Sequence, residues 1–314
     1  MGMSPVGVHR LHFTEVGPRD GLQNLDPDLP TETKLVLVER LLDADIDLVE
    51  ATSMVSPRWV PKMADAERLL GALVAARGHG VLRRLRVLVP NLQGLERALA
   101  AGAVRVVANV GATDGFNRAN LRQGVGETFA ELERMAELAR AQGCTFDVGI
   151  SCSFGCPFEG PVAPDRVAEL ADRLADLGVS EIGIADTIGV ADPRQVSSLI
   201  EHLARSGVGA EQLSLHLHDT RGMGLANALA AYESGVLRFE GSVGGIGGCP
   251  FAPRSTGNVC SEDLLHMLVR VGAETAVDLK GLCQAATYLE EVLARPLPGR
   301  LYRAGIWEGA RSPA

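Results

Sequence analysis

Two histidines stand two positions apart in an apolar run, Leu213-Ser214-Leu215-His216-Leu217-His218-Asp219. In an extended segment residues i and i+2 share a face. His216 and His218 therefore project together, while Leu213, Leu215 and Leu217 take the opposite face. Neutral imidazole is a common metal ligand; the plainer alternative is a pair of core histidines bonded to polar neighbours. A carboxylate that could complete a mixed nitrogen–oxygen site is Asp20, in Gly17-Pro18-Arg19-Asp20-Gly21. An Arg-Asp dipeptide is most often a surface ion pair, but this one directly follows a strand-like run, where a side chain can point into a site.

A second feature is Gly244-Gly245-Ile246-Gly247-Gly248-Cys249-Pro250. Four glycines in five residues describe a mobile loop, and a thiol on such a loop can be delivered to a substrate as the loop closes. The competing reading is a phosphate-cradling or merely flexible loop with an incidental thiol.

Eight β-branched runs could position these groups: residues 11–16, 47–53, 85–90, 104–110, 145–151, 181–187, 212–219 and 238–244. Amphipathic runs with three- and four-residue apolar spacing alternate with them, near 31–43, 60–77, 92–101, 125–141, 164–177, 193–206, 222–235 and 258–272. Strict alternation predicts a parallel sheet, and eight units are the number that closes into a (β/α)8 barrel. The rival, an open doubly wound sheet, usually carries a glycine fingerprint after its first strand, which Gly17-Pro18-Arg19-Asp20-Gly21 does not match. The pattern assigns residues 1–278 to one catalytic barrel. The rest, 279–314, reads as an extra helix over 279–294 packed on the barrel and a loosely held tail from Arg295. In such barrels chemistry sits where the strands end, which selects Glu15, Arg19, Asp20, Glu50, Thr52, Ser53, Ser151, Asp186, Thr187, His216, His218 and Asp219.

Composition narrows the function. The 314 residues carry a formal net charge of −9, so no basic surface stands ready for nucleic acid, and an anionic substrate must be held by local groups. No run of 18 apolar residues spans a membrane, and no targeting segment is visible at the start. The six cysteines, at 144, 152, 156, 249, 260 and 283, are too irregular for a disulfide framework or a zinc site. They read as reduced thiols of a cytoplasmic protein.

Six segments together resemble the 3-hydroxy-3-methylglutaryl-CoA lyase family of metal-dependent Claisen-type barrels, over nearly the whole chain. They are Glu15 to Asn24; Glu50-Ala51-Thr52-Ser53 with Val55-Ser56-Pro57; Ser151-Cys152 with Gly155-Cys156-Pro157; Asp186-Thr187-Ile188-Gly189; His216 to Thr220; and Gly247-Gly248-Cys249-Pro250 with Gly257-Asn258. The resemblance implies that Asp20, His216, His218 and Asn258 bind Mg2+ or Mn2+, that Arg19 holds the thioester oxygen, and that Cys249 is the loop thiol and proton donor. It implies that Asp20 or His216 is the base, that Gln23, Glu50 and Asp186 line the site, and that the substrate is an acyl-CoA handled by a homo-oligomer, dimer or tetramer. The expected reaction is cleavage of 3-hydroxy-3-methylglutaryl-CoA to acetyl-CoA and acetoacetate. The alternatives are a lyase or condensing enzyme for a related 3-hydroxyacyl-CoA, such as citramalyl-CoA, and a non-catalytic barrel that binds CoA esters. Three positions depart from the family pattern: Gly149 and Arg221 where relatives often have Tyr, and Asp26 where a Lys near the CoA phosphates is expected. Arg221 is accordingly a candidate substrate-binding residue, and acyl specificity is expected to differ.

Overall fold

A computed structural model of the protein describes residues 10–26, 28–248 and 257–307. Eight strands form a closed, all-parallel barrel: β1 (His12–Glu15), β2 (Leu48–Ser53), β3 (Leu85–Leu88), β4 (Arg105–Gly111), β5 (Thr145–Ser151), β8 (Ile182–Asp186), β9 (Leu213–Leu217) and β10 (Arg238–Gly241). The β1–β10 pairing that closes the ring matches Glu15 with Gly241. The remaining two strands, β6 (Gly155–Cys156) and β7 (Gly160–Pro161), form a small antiparallel hairpin in the loop after β5. The expected barrel is therefore present.

The helices are α1 (Thr31–Asp43), α2 (Ala66–Arg77), α3 (Leu92–Ala100), α4 (Asp114–Leu121), α5 (Val125–Ala141), α6 (Pro164–Asp176), α7 (Pro193–Arg205), α8 (Gly224–Glu233), α9 (Ser261–Arg270), α10 (Leu279–Leu293) and the short α11 (Leu301–Ala304). Local chemistry sets several starts. Asp192 accepts from the amides of Arg194 and Gln195 ahead of Pro193, and Asn91 accepts from Gly94 at 2.8 Å. Such caps satisfy amides that the first turn leaves unpaired.

Outward-facing Val106, Val110, Val148, Ile150, Ile182, Ile184, Leu213 and Leu215 are fully buried against the helices. Burial of apolar area is the main stabilising force. The interior is different in kind: Glu50, Arg86, Asp147 and Glu181 are all buried inside the ring. Arg105 reaches Asp147 at 2.7 Å and Glu181 at 3.3 Å, so the charges are paired as burial requires.

Three expectations need revision. The run 60–77 is broken at Ala64-Asp65 into a 3-10 turn, Pro61–Met63, and α2. The α4 helix and the β6–β7 hairpin lie in what read as connecting loop. The tail is held over residues 297–301, where Leu297 and Leu301 are buried, Gly299 donates to the Gly244 carbonyl at 2.9 Å, and Asp263 accepts from the amides of Arg300 and Leu301. The α10 helix is where it was expected. Its Leu282, Ala285, Ala286 and Leu289 are buried, and Arg40 of α1 stacks over Tyr288.

Candidate active site

After β1 the chain makes one π-helical turn, Gly17–Gly21. Pro18 fits its start because the missing N–H has no partner there. The turn buries Arg19 and sets Asp20 beside β9. Asp20 is surrounded by donors: Arg19 Nη1 at 2.5 Å and Gln23 Nε2 at 3.0 Å on Oδ1, and Asn258 Nδ2 at 2.8 Å on Oδ2. Burial would raise the Asp20 pKa, but Arg19, the two histidines and Asn258 overcome it and hold the group below its usual value. The carboxylate is therefore the form present.

The chain returning to α9 places Asn258. Its backbone bridges that of His218, Asp219 donates to the Gly257 carbonyl at 2.7 Å, and Val259 donates to the Leu217 carbonyl at 3.0 Å. The extension of β9 thereby brings Asn258 to Asp20.

His216 and His218 face each other through Nε2 at 3.1 Å. His216 Nδ1 lies 2.9 Å from Glu240 Oε2. Burial favours the neutral ring, but the Glu240 bond and charge dominate and raise the His216 pKa. His218 is different: burial, with the neighbouring His216, pushes it down to about 3, so its ring is neutral. Ligand atoms of Asp20, His216 and His218 lie within 4.8 Å of one another. This spacing suits one cation and the donors are of the right kind.

Arg19 also donates through Nε to Glu50 Oε1. Burial works against its charge, but Glu50 and Asp20 together raise its pKa, so the guanidinium is fixed and charged. One donor-rich group thus sits next to the Asp–His cluster.

Seven of the sequence-derived residues converge here: Arg19, Asp20, Gln23, Glu50, His216, His218 and Asn258. Asp186 is placed otherwise. Its side chain is buried and accepts from the amides of Val190 at 2.9 Å and Ala191 at 3.0 Å, tying down the loop after β8. Arg221 donates through Nη1 to the carbonyls of Ile188 at 2.7 Å and Gly189 at 2.9 Å, clamping that same loop. Asp26, where a lysine was expected, is met by Lys62 from the loop after β2 at 2.7 Å.

Cys249 lies outside the described residues. The loop expected to be mobile starts from a fixed base: Gly244 and Gly245 are buried, and Gly244 donates to Glu262 at 3.0 Å. Gly244 has φ +65° and its α-carbon faces Leu297 of the tail, leaving no room for a side chain. At Gly244 the missing side chain serves close packing and a left-handed turn. Sequence reasoning passed over Arg86 and Glu240. Their signal was a charge inside an apolar strand, Leu85-Arg86-Val87 and Phe239-Glu240-Gly241.

Comparison with known proteins agrees with this geometry. The HMGL-like family model matches residues 10–289. The chain is 43% identical over 300 residues to an (R)-citramalyl-CoA lyase of Chloroflexus aurantiacus, covering 93% of this chain and 94% of that one. It is 38% identical to a hydroxymethylglutaryl-CoA lyase of Bacillus subtilis, covering 93% and 96%. A solved HMG-CoA lyase of Acinetobacter baumannii, in complex with coenzyme A and 3-methylmalate, superposes with a TM-score of 0.89 at 36% identity, over 97% of this chain and 98% of that one. With a closed barrel, an Asp–His–His cluster at its mouth and likeness along nearly its whole length, the chain belongs to the HMGL-like family of carbon–carbon lyases.

Proposed function

We propose that the protein is a divalent-metal-dependent lyase that cleaves 3-hydroxy-3-methylglutaryl-CoA into acetyl-CoA and acetoacetate. The observation that carries this reading is the meeting of Asp20, His216 and His218 at one point, with Arg19 beside it. The donor set fits a cation. The Nε2 atoms of His216 and His218 face each other at 3.1 Å, and the buried Asn258 Oδ1 has no hydrogen-bond partner among the described residues. Asp20, His216, His218 and Asn258 would hold Mg2+ or Mn2+. When bound, such an ion supplies Lewis acidity, favouring the alkoxide form of the substrate's tertiary hydroxyl.

The protein's own groups do the rest. Asp20 accepts the hydroxyl proton, because His216 has Nδ1 bonded to Glu240 and Nε2 turned to the proposed ion. The oxygen's electron pair forms the new carbonyl, and the adjacent carbon–carbon bond breaks toward the thioester. Negative charge then develops on the thioester oxygen, where Arg19, already immobilised by Glu50 and Asp20, stabilises it without reorganising. A proton delivered to the enolate carbon by Cys249 completes acetyl-CoA. Gln23 steadies Asp20, and Asp186 and Arg221 fix the loop that flanks the acyl group.

A second reading, cleavage of citramalyl-CoA, is supported by the 43% identical relative and by Gly149. A β-carbon at Gly149 would lie 2.5 Å from Asn109 Oδ1, so the glycine lets the Asn109 side chain pack directly against β5. Mass analysis of products from both acyl-CoAs, with and without Mg2+, separates the readings. No metal-dependent turnover of either substrate sinks both. We further place the protein in the cytosol as a homo-oligomer. Support for the cytosolic reading is that Cys144, Cys156, Cys260 and Cys283 are free thiols.

A further inference from the structure

Arg86, 2% exposed, is among the largest side chains buried in the barrel. It projects from β3 between two carboxylates, and each of these divides its oxygens between Arg86 and the active site. Glu50 receives Arg86 Nε on Oε2 at 2.7 Å and Arg19 on Oε1. Glu240 receives Arg86 Nη2 on Oε1 at 2.5 Å and has His216 Nδ1 against Oε2 at 2.9 Å. The contacts form an unbroken chain, Arg19–Glu50–Arg86–Glu240–His216. Arg19 also holds Asp20, so the chain begins and ends on the proposed metal cluster. Glu181 Oε1 lies 3.9 Å from Arg86 Nη1.

We infer that Arg86 is a positioning residue that sets Arg19 and His216 in one geometry by bridging Glu50 and Glu240. The inference rests on the proposed function for its metal and kinetic arms, whereas the tautomer arm stands without it. A buried ion network is weak evidence for stability, because desolvation offsets much of the attraction and apolar replacements of similar volume are often as stable. What the guanidinium adds is direction, since its planar fork can serve two carboxylates at fixed angles. Glu240 beside Arg86 is an acceptor only, so the proton between it and His216 belongs to the ring's Nδ1. That assigns the tautomer and leaves His216 Nε2 as the ligand atom, the usual arrangement of a carboxylate behind a metal-binding histidine. Without Arg86, Glu50 would be left with Arg19 and Glu240 with His216. Each would lose the partner that aims its second oxygen.

The test uses full-length protein stripped of metal and carrying Arg86→Met, Arg86→Lys, Glu240→Gln, or Arg86→Met with Glu240→Gln. Mn2+ binding is followed by electron paramagnetic resonance, and the His216 tautomer in the metal-free protein by 15N imidazole shifts. Arg86→Met should weaken Mn2+ binding about 10–100-fold, as losing a supporting partner does, and should scatter the Nδ1–H tautomer signal. The double variant should bind Mn2+ no more weakly than the worse single one, because both break the same chain. In the kinetic arm kcat should fall with little change in KM. Arg86→Lys keeps the charge and the fold but not the fork, so it should still show the tautomer and kcat defects. It carries the test if the methionine variant does not fold. Unchanged Mn2+ affinity and His216 shifts in the folded variants, or additive losses in the double variant, would overturn the inference. Failure of the wild type to cleave the proposed substrate would overturn the substrate reading alone, since the metal and tautomer readouts do not use it.

Discussion

Asn258 Nδ2 donates to Asp20 Oδ2 at 2.8 Å across 238 positions of sequence. This one bond joins the turn after the first strand to the segment entering α9, and it fixes two of the four proposed ligands against each other. Removing His216 or His218 as alanine should abolish tight Mn2+ binding. Turnover should fall more than the roughly 10–100-fold typical of losing a merely supporting partner. Isothermal titration of metal-stripped protein together with an acyl-CoA cleavage assay measures both, and full activity after EDTA treatment would refute the metal-dependent reading.

Arg19 is pinned by Glu50 and Asp20 before any substrate arrives. If it stabilises the thioester oxygen, Arg19→Gln should lower kcat by about 10²–10³-fold, the usual cost of deleting such a donor. Because Glu50 and Asp20 then lose a partner, the thermal midpoint should be compared in parallel. A variant that folds normally and turns over at the wild-type rate excludes the role.

Cys249 can be separated from its fellow thiols by chemistry. Cys144, Cys152, Cys156 and Cys260 are buried, and burial pushes Cys144 up to about 11 and Cys283 up to about 12. Thiolate is the reactive form, so alkylation at mildly alkaline pH should modify Cys249 first and abolish turnover, with substrate slowing the loss. Cys249→Ser should cost about 10²–10⁴-fold in turnover as the removal of a general acid. Peptide mapping that finds another cysteine alkylated first would contradict this.

Acyl preference is expected to turn on Gly149. Any side chain there collides with Asn109 of β4 and must displace it. Gly149→Tyr should change the ratio of kcat/KM for the methylglutaryl and citramalyl thioesters by at least about tenfold, the scale set by one misfitted methylene. Arg221→Met should raise KM for both by freeing the 188–189 carbonyls. An unchanged ratio would move the specificity determinant elsewhere.

Stability should fall with rising pH. Burial pushes Glu15 up to about 8 and Glu262 up to about 7, against an ordinary value of 4.5. Between those limits the folded state retains protons that the unfolded chain has released. Their contribution is therefore complete below about 4.5 and is lost as pH climbs through 7 and 8. Glu262→Gln keeps an acceptor for the Gly244 amide but cannot ionise. Its urea midpoint should exceed that of wild type at about pH 8.5 and differ little at about pH 5. A pH-independent difference would remove Glu262 as the cause.

The sequence by itself determined the barrel and most of the site, because both are local. Alternating runs report strands and helices through periodicity, and residues at strand ends, such as Asp20 and the His216–His218 pair, must face the mouth once the ring closes. Asn258 was reached only through family resemblance, since no spacing joins it to Asp20. Tertiary structure alone decided the rest. Arg86 and Glu240 lie 154 positions apart, and only ring closure turns two isolated strand charges into one network. Asp186 was legible as a polar group at a strand end and Arg221 only as a departure from the family pattern, yet which way they bond depends on where the loop after β8 passes. The glycines after β10 looked like flexibility in one dimension. In three, Leu297 from the tail and Glu262 from α9 occupy the space around Gly244, because a side chain there would displace the packing that anchors the loop's base.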